Sequence, residues 1–168
     1  MKLSIISCGI EPWVSDLISS IDIPHRWLHL DQNTSHDDYK SFLANDIDDT
    51  NGFIWMFPLK PTGIPGLLLT HNDVWMSEIE QLEKPFEKLP GLIITYSEEP
   101  EISFSVGGRF APVTWMLEPF QQGMFRMTDI RFSAPLIMFD FKPDEEEVIQ
   151  QFLQLYKFKS KTLKRLDA

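Results

Sequence analysis

Chemistry in this chain would fall to one thiol, a few imidazoles and carboxylates, and the loops that follow its apolar runs. Cys8 is the one cysteine. As a nucleophile it would need a His and an acid placed around it; as a small apolar residue closing a strand it needs neither, and that is the expectation. His25 and His29 alternate on one strand face. Two imidazoles fall short of the three or four ligands zinc takes, so both are expected at the surface and no metal is expected. Asp46-Ile47-Asp48-Asp49-Thr50-Asn51-Gly52 has the acidic spacing of a calcium loop. It carries Asn51 at the sixth position instead of Gly and Phe57 at the twelfth instead of Glu, so a solvated turn is expected. The most informative stretch is Gly52 to Trp75. Phe53-Ile54-Trp55-Met56-Phe57 is apolar on both faces, which suits a strand buried inside a parallel sheet. A loop follows it, Pro58-Leu59-Lys60-Pro61-Thr62-Gly63-Ile64. Loops at the carboxyl ends of central parallel strands are where open α/β sheets hold ligands. Phe57 to Gly63 is therefore expected to wall a small-molecule site.

For that loop to be so placed, the flanking segments must build a parallel sheet. Leu3–Ser7 reads as a first strand, and Gly9 permits a turn after it. Pro12 can start a helix with Trp13, Leu17 and Ile21 on one face and Val14 and Ile18 beside them; Pro24 ends it. His25–Leu30 alternates as a second strand, with Trp27 and His29 one way and Leu28 and Leu30 the other. A helix from about Ser35 to Asn45 carries the stripe Tyr39, Phe42 and Leu43. Pro65 suits the first turn of a third helix, because its missing N–H costs nothing there. That helix runs to Trp75 and packs through Leu67, Leu68, Val74 and Trp75. Ser77–Leu89 is helical in part. Gly91–Thr95 is a fourth strand, and Tyr96–Gly108 a long polar loop. Ala111–Met127 is a fourth helix with a bend near Pro119. Ile130–Phe141 holds a fifth strand made irregular by Pro135, and Pro143 opens a last helix. This alternation predicts a five-stranded parallel sheet in the order 2-1-3-4-5, with helices on both faces. It predicts one domain over residues 1–168.

Hydrophobic residues make up 43% of the chain and aromatic residues 12%, which places it among globular and not disordered chains. No apolar stretch approaches the roughly 20 residues of a membrane span. Met1-Lys2-Leu3-Ser4 runs straight into a strand without a signal-peptide pattern, and the lone cysteine makes no internal disulfide, so a reducing cytoplasm is expected. A net charge of −10 argues against a nucleic-acid partner, which needs a basic surface to displace counterions. It does not exclude a nucleotide, whose phosphates backbone N–H groups can hold. Lys157, Lys159, Lys161, Lys164 and Arg165 suit the negative end of a last helix.

Phe57-Pro58-Leu59 followed by Pro65-Gly66-Leu67-Leu68 resembles the flavodoxin-like NAD(P)H:quinone oxidoreductases, a family that includes ancillary subunits of glutathione-gated potassium efflux systems. Leu92-Ile93-Ile94-Thr95, Leu117-Glu118-Pro119-Phe120-Gln121-Gln122-Gly123 and Ala134-Pro135-Leu136-Ile137 extend the likeness along nearly the whole chain. The resemblance implies a flavodoxin-like fold holding FMN or FAD with three loops. By position these supply Gly9 and Ser15 from the first, Phe57, Pro58, Leu59 and Lys60 from the second, and Thr95, Tyr96 and Ser97 from the third. It implies hydride transfer from NAD(P)H through the flavin to a quinone, in a homodimer, with a membrane transporter as a further partner.

The loops depart from the family pattern. Gly9-Ile10 stands in the His-Pro slot, Ile18 in an Asn slot, Lys60-Pro61 in an aromatic pair, and Tyr96-Ser97-Glu98 in a Thr-Gly-Gly turn. Glycine lets backbone approach a flat ring, and these three side chains do not. A carboxylate such as Glu98 would also disfavour an anionic reduced flavin. The family's proton-handling Tyr and His fall near Ser103 or Phe104 and near Arg109, so no catalytic residue is assigned. Phe104 and Phe110 are expected to cover core beneath the loop. Two alternatives stand beside the reductase. One is a non-catalytic binding or regulatory subunit with a degenerate flavin site. The other is a site for a different nucleotide or an acyl group, which no residue selects.

Overall fold

Strong β-formers cluster in short runs and helix formers between them, and the chain alternates accordingly. The computed structural model describes residues 2–10, 12–19, 24–44, 50–79, 86 and 89–141. In chain order these form β1 (Leu3–Cys8), α1 (Pro12–Ser19), β2 (His25–Leu30), α2 (His36–Ala44), β3 (Phe53–Pro58) and α3 (Gly66–Ile79). Then come β4 (Pro90–Tyr96), a 3₁₀ turn (Glu101–Phe104), α4 (Val113–Thr128), β5 (Arg131–Phe132) and β6 (Leu136–Met138). The strands are parallel and ordered β2-β1-β3-β4-β5, with β6 also on β4. This is the 2-1-3-4-5 order of the flavodoxin-like fold.

Side chains alternate across a strand, so β3 feeds two cores. Phe53, Trp55 and Phe57 join Ile6, Cys8 and Ile93 beneath α2, α3 and α4, which contribute Tyr39, Phe42, Leu43, Leu68, Trp75, Leu117, Phe120 and Met124. Ile54 and Met56 join Leu3, Ile5, Leu92 and Ile94 on the other face, against Val14 and Ile18 of α1 and Phe141. Burial on both faces is what an uninterrupted apolar run demands. At the edge, β2 keeps the expected alternation: Leu30 is buried, while Trp27 and His29 are exposed.

Several expectations change. α3 continues past Trp75 to Ile79, and Val74, 36% exposed, lies on its solvent side and not in its packing face. Ser35 is the cap of α2 and not its first turn: the Asp38 backbone N–H donates to Ser35 Oγ (3.1 Å), and the Ser35 N–H donates to Asp38 Oδ2 (3.1 Å). These two bonds satisfy donors that a helix start leaves free. The expected fifth strand is two short pieces along one edge. Arg131–Phe132 pairs with the start of β4 and Leu136–Met138 with its end. Pro135, which has no N–H for the ladder, falls in the gap. Pro119 sits inside α4 on its exposed face, where water can take the bond it forfeits. Most of the acidic stretch 46–51, most of 80–89, the last helix and the basic cluster at its end lie outside the described residues.

Candidate functional site

The register of the sheet brings three strand ends together. Phe57 pairs with Thr95 and Pro58 with Tyr96, while β1 ends on the other side of β3. Gly9 follows β1 with φ +61°, a left-handed conformation that glycine adopts without strain. A Cβ built on it would lie 3.8 Å from Pro58 Cγ, so the first two loops touch. The second and third loops are bonded. The Leu59 N–H donates to the Tyr96 carbonyl at 2.7 Å, and Thr95 Oγ1 donates to the Phe57 carbonyl at 2.7 Å.

Beyond Leu59 the chain turns sharply. Lys60 and Gly63 exchange backbone bonds of 3.2 and 2.8 Å, which leaves Lys60 and Pro61 at the exposed rim. The third loop is tied back to the sheet. The Ser97 N–H donates to Met138 (2.8 Å), the Ser97 carbonyl accepts from Phe141 (2.9 Å), and Ser97 Oγ accepts from the Glu99 N–H (3.1 Å). Between these loops lies a cleft of about 150 Å³ lined by Pro58, Leu59, Lys60, Pro61, Tyr96, Ser97, Glu98 and Glu99. Among the described residues that line it, Lys60 is the one cation, set against two carboxylates.

Each residue implicated by sequence has a defined place. Gly9 is exposed and Ser15 half-buried on α1. Phe57 and Leu59 are in the core, so they offer backbone and not side chain to the cleft. Thr95 and Ser97 are buried, with their hydroxyls in internal bonds. Tyr96 lines the cleft and joins the core on the α1 side of the sheet, its ring 5.2 Å from that of Phe141. Lys60 and Glu98 are exposed and line the cleft. Cys8 is buried beneath Gly9 in the core. Burial raises its thiol pKa, against a smaller lowering by a backbone bond to Leu68. The thiolate is therefore suppressed at neutral pH. A thiol reagent such as dithionitrobenzoate is expected to label native protein at least tenfold more slowly than urea-unfolded protein.

The loop after β4 is held by Phe104, buried beneath it, and Phe110, whose ring centroid is 5.2 Å away. Arg109 stacks its guanidinium 5.3 Å from the Phe110 ring. A Cβ on Gly108 would meet the Ile102 carbonyl oxygen at 2.3 Å and that of Ser103 at 2.8 Å, distances no packed atom tolerates. Gly108→Ala is expected to lower the melting temperature by about 4 °C through forced backbone movement. A melting curve equal to wild type would contradict the close packing of this loop.

His29 Nδ1 and Ser7 Oγ share a hydrogen bond (3.1 Å), and Trp27 Nε1 donates to the same hydroxyl (2.7 Å). That is a structural relay at the sheet edge. Among the described residues no group of three or more His, Cys, Asp or Glu gathers to hold a metal ion, and no helix is long and apolar enough to cross a membrane. Sequence reasoning missed His71, which is 3% exposed. It lies three residues after Leu68 and four before Trp75, so helical spacing alone would have put it on the buried stripe.

No family model matches this chain, and no curated protein does. Solved structures do. The fold is similar to an NADPH-quinone reductase from P. pentosaceus, with TM-score 0.70, 17% identity, and 92% of this chain and 96% of that one covered. It is similar to a thermophilic tryptophan halogenase from Streptomycin violaceusniger, with TM-score 0.70, 13% identity, and coverage of 92% and 95%. General stress protein 14 from Treponema denticola, solved in complex with FMN, matches with TM-score 0.67, 15% identity and 99% of both chains covered. At such identities these likenesses show the flavodoxin-like fold and not a shared activity.

Proposed function

We propose that this chain is a flavodoxin-like redox protein that holds FMN at the carboxyl ends of β1, β3 and β4 and serves hydride transfer from NAD(P)H to a quinone. One observation carries this reading above the rest. The three loops assigned to flavin contact by sequence are joined at one place, Gly9 against Pro58 and Leu59 bonded to Tyr96. Structural neighbours that include a quinone reductase and an FMN complex support it.

The residues present fit the group in part. Gly9 leaves an uncrowded approach beside the N-terminus of α1, where N–H groups suit a phosphate. Pro58, Lys60 and Pro61 give the cleft a flat rim with one cation. The cleft of about 150 Å³ is below the roughly 300–1,000 Å³ of pockets that enclose small ligands. One chain would therefore cover only part of a flavin. Ile102, Val106 and Trp115 are 71%, 83% and 65% exposed on the loop and helix beyond β4, and a second copy packed there would supply the remaining cover. When bound, the flavin supplies the two-electron redox centre. This chain's residues supply placement: Lys60 opposes the cofactor's negative charge, and Thr95 and Leu59 hold the two loop ends in register. Phe104 sits in the core and Ser103 is half-buried in the loop, so neither brings a titrating proton donor to the cleft.

A second reading has its own observation. The Thr95 hydroxyl and the N–H groups of Leu59 and Ser97 are all turned to internal partners, and Glu98 and Glu99 oppose a phosphate. A regulatory subunit that has lost its flavin would look like this. In either reading the protein works in the cytoplasm, and in the second its partner is a membrane transporter. Titration of the purified protein with FMN and with FAD separates the two. Quenched flavin fluorescence, a raised melting temperature and quinone-dependent NAD(P)H oxidation are expected; no binding of either flavin would leave the regulatory reading.

A further inference from the structure

We propose that His36 and His71 form a pH-sensitive clasp that holds α2 against α3 at and above neutral pH and releases it in mild acid. The two Nδ1 atoms lie 2.9 Å apart, with the rings edge to face and centroids 4.5 Å apart. A bond between two imidazole nitrogens needs one proton: one ring donates and the other accepts. One added proton keeps the bond, because the charged ring still donates to the neutral one; a second puts an N–H on each Nδ1 and a positive charge on each ring, and the contact becomes repulsive.

The surroundings offer the second proton no refuge. His71 is buried, with the Tyr39 ring 5.4 Å away on one side, and Tyr39 in turn meets Trp75 edge-on. The Tyr39 hydroxyl donates to Asn72 Oδ1. Among the described residues, Asn72 Nδ2 is a buried donor without a partner. His36 opens α2, where the helix dipole disfavours a cation. Among the residues whose side chains are described, the other ionisable groups on the packed elements are Asp37, Asp38 and Lys40 of α2, Asp73 of α3, Cys8 of β1, His25, Arg26 and His29 of β2, and Glu118 and Arg126 of α4. The two first-turn aspartates are exposed to solvent and only partly offset the repulsion.

Burial first, and the His36 charge second, lower the His71 pKa from its ordinary value. The unfolded chain then binds the proton more readily than the folded one. Stability is therefore full above the unfolded value of about 6.5 and falls as pH drops through it, levelling only below the folded value.

The test compares wild type with His36→Gln, a change at an exposed position that removes the second charge. Both are melted at pH 8 and at pH 5.5. Wild type is expected to lose about 3 °C more than the variant over that interval; equal losses overturn the proposal. Imidazole NMR of the folded proteins is the independent readout. His71 is expected to titrate below its ordinary range in wild type and to move upward in His36→Gln. A His71 titration that the substitution leaves unchanged also overturns it.

Discussion

Trp55→Ala is expected to cost about 3–5 kcal/mol, the range for deleting a large aromatic from a packed core. Trp55 is fully buried at the middle of β3. Its ring stacks on Phe53 at 5.5 Å and meets Phe120 of α4 at 5.8 Å and Phe132 of β5 at 5.3 Å. One side chain thus joins the central strand, the helix above it and the edge strand. Domains of this kind have a total stability of about 5–15 kcal/mol, so the variant would stand near its unfolding transition at ordinary temperature. Urea denaturation followed by circular dichroism measures the loss. Trp55→Phe, which keeps most of the ring contacts, is expected to lose less than half as much. A loss below about 1 kcal/mol for the alanine variant would mean that the site collapses around the hole, which close-packed interiors do poorly.

Lys60→Glu is expected to weaken FMN binding about 100-fold, roughly 2.7 kcal/mol. Lys60 is the one cation among the described residues of a cleft that also carries Glu98 and Glu99. In the flavin reading, reversal would leave three carboxylates on the rim beside an anionic cofactor whose ring gains further negative charge on reduction. Lys60 is exposed, and its backbone bonds with Gly63 do not involve the side chain, so the fold should survive the change. Fluorescence titration at low and high salt checks both parts. The affinity should fall, and added salt should recover some of it by screening. An unchanged affinity would place the flavin away from this rim.

What could be read in advance was whatever depends on local pattern. β3 was legible because burial on both faces demands an unbroken apolar run. β2 was legible because an edge strand with one buried face must alternate. The parallel sheet followed from alternation with helices, and its order is the one that five such strands favour. Other features depend on tertiary neighbours that no single stretch records. Val74 has an apolar side chain, yet α3 is packed through Leu68 and Trp75, and Val74 faces away from them. Tyr96 has a Cβ that a flat ligand would meet, and its ring joins the core on the α1 side of the sheet, against Phe141. The split of the last strand was signalled by Pro135, though not the extent of each piece. His71 was hidden for a different reason: a histidine reads as surface until the helix that carries it is seen from the core.

The two cross-strand bonds beyond the sheet, Leu59 to Tyr96 and Thr95 to Phe57, mean that the second and third loops cannot splay apart independently. The mouth is preorganised, and a guest gains from that rigidity because little ordering is left to do on arrival. The same stiffness sets a gauge on thickness. A guest that pushed the two loops apart would have to break both bonds before it could enter.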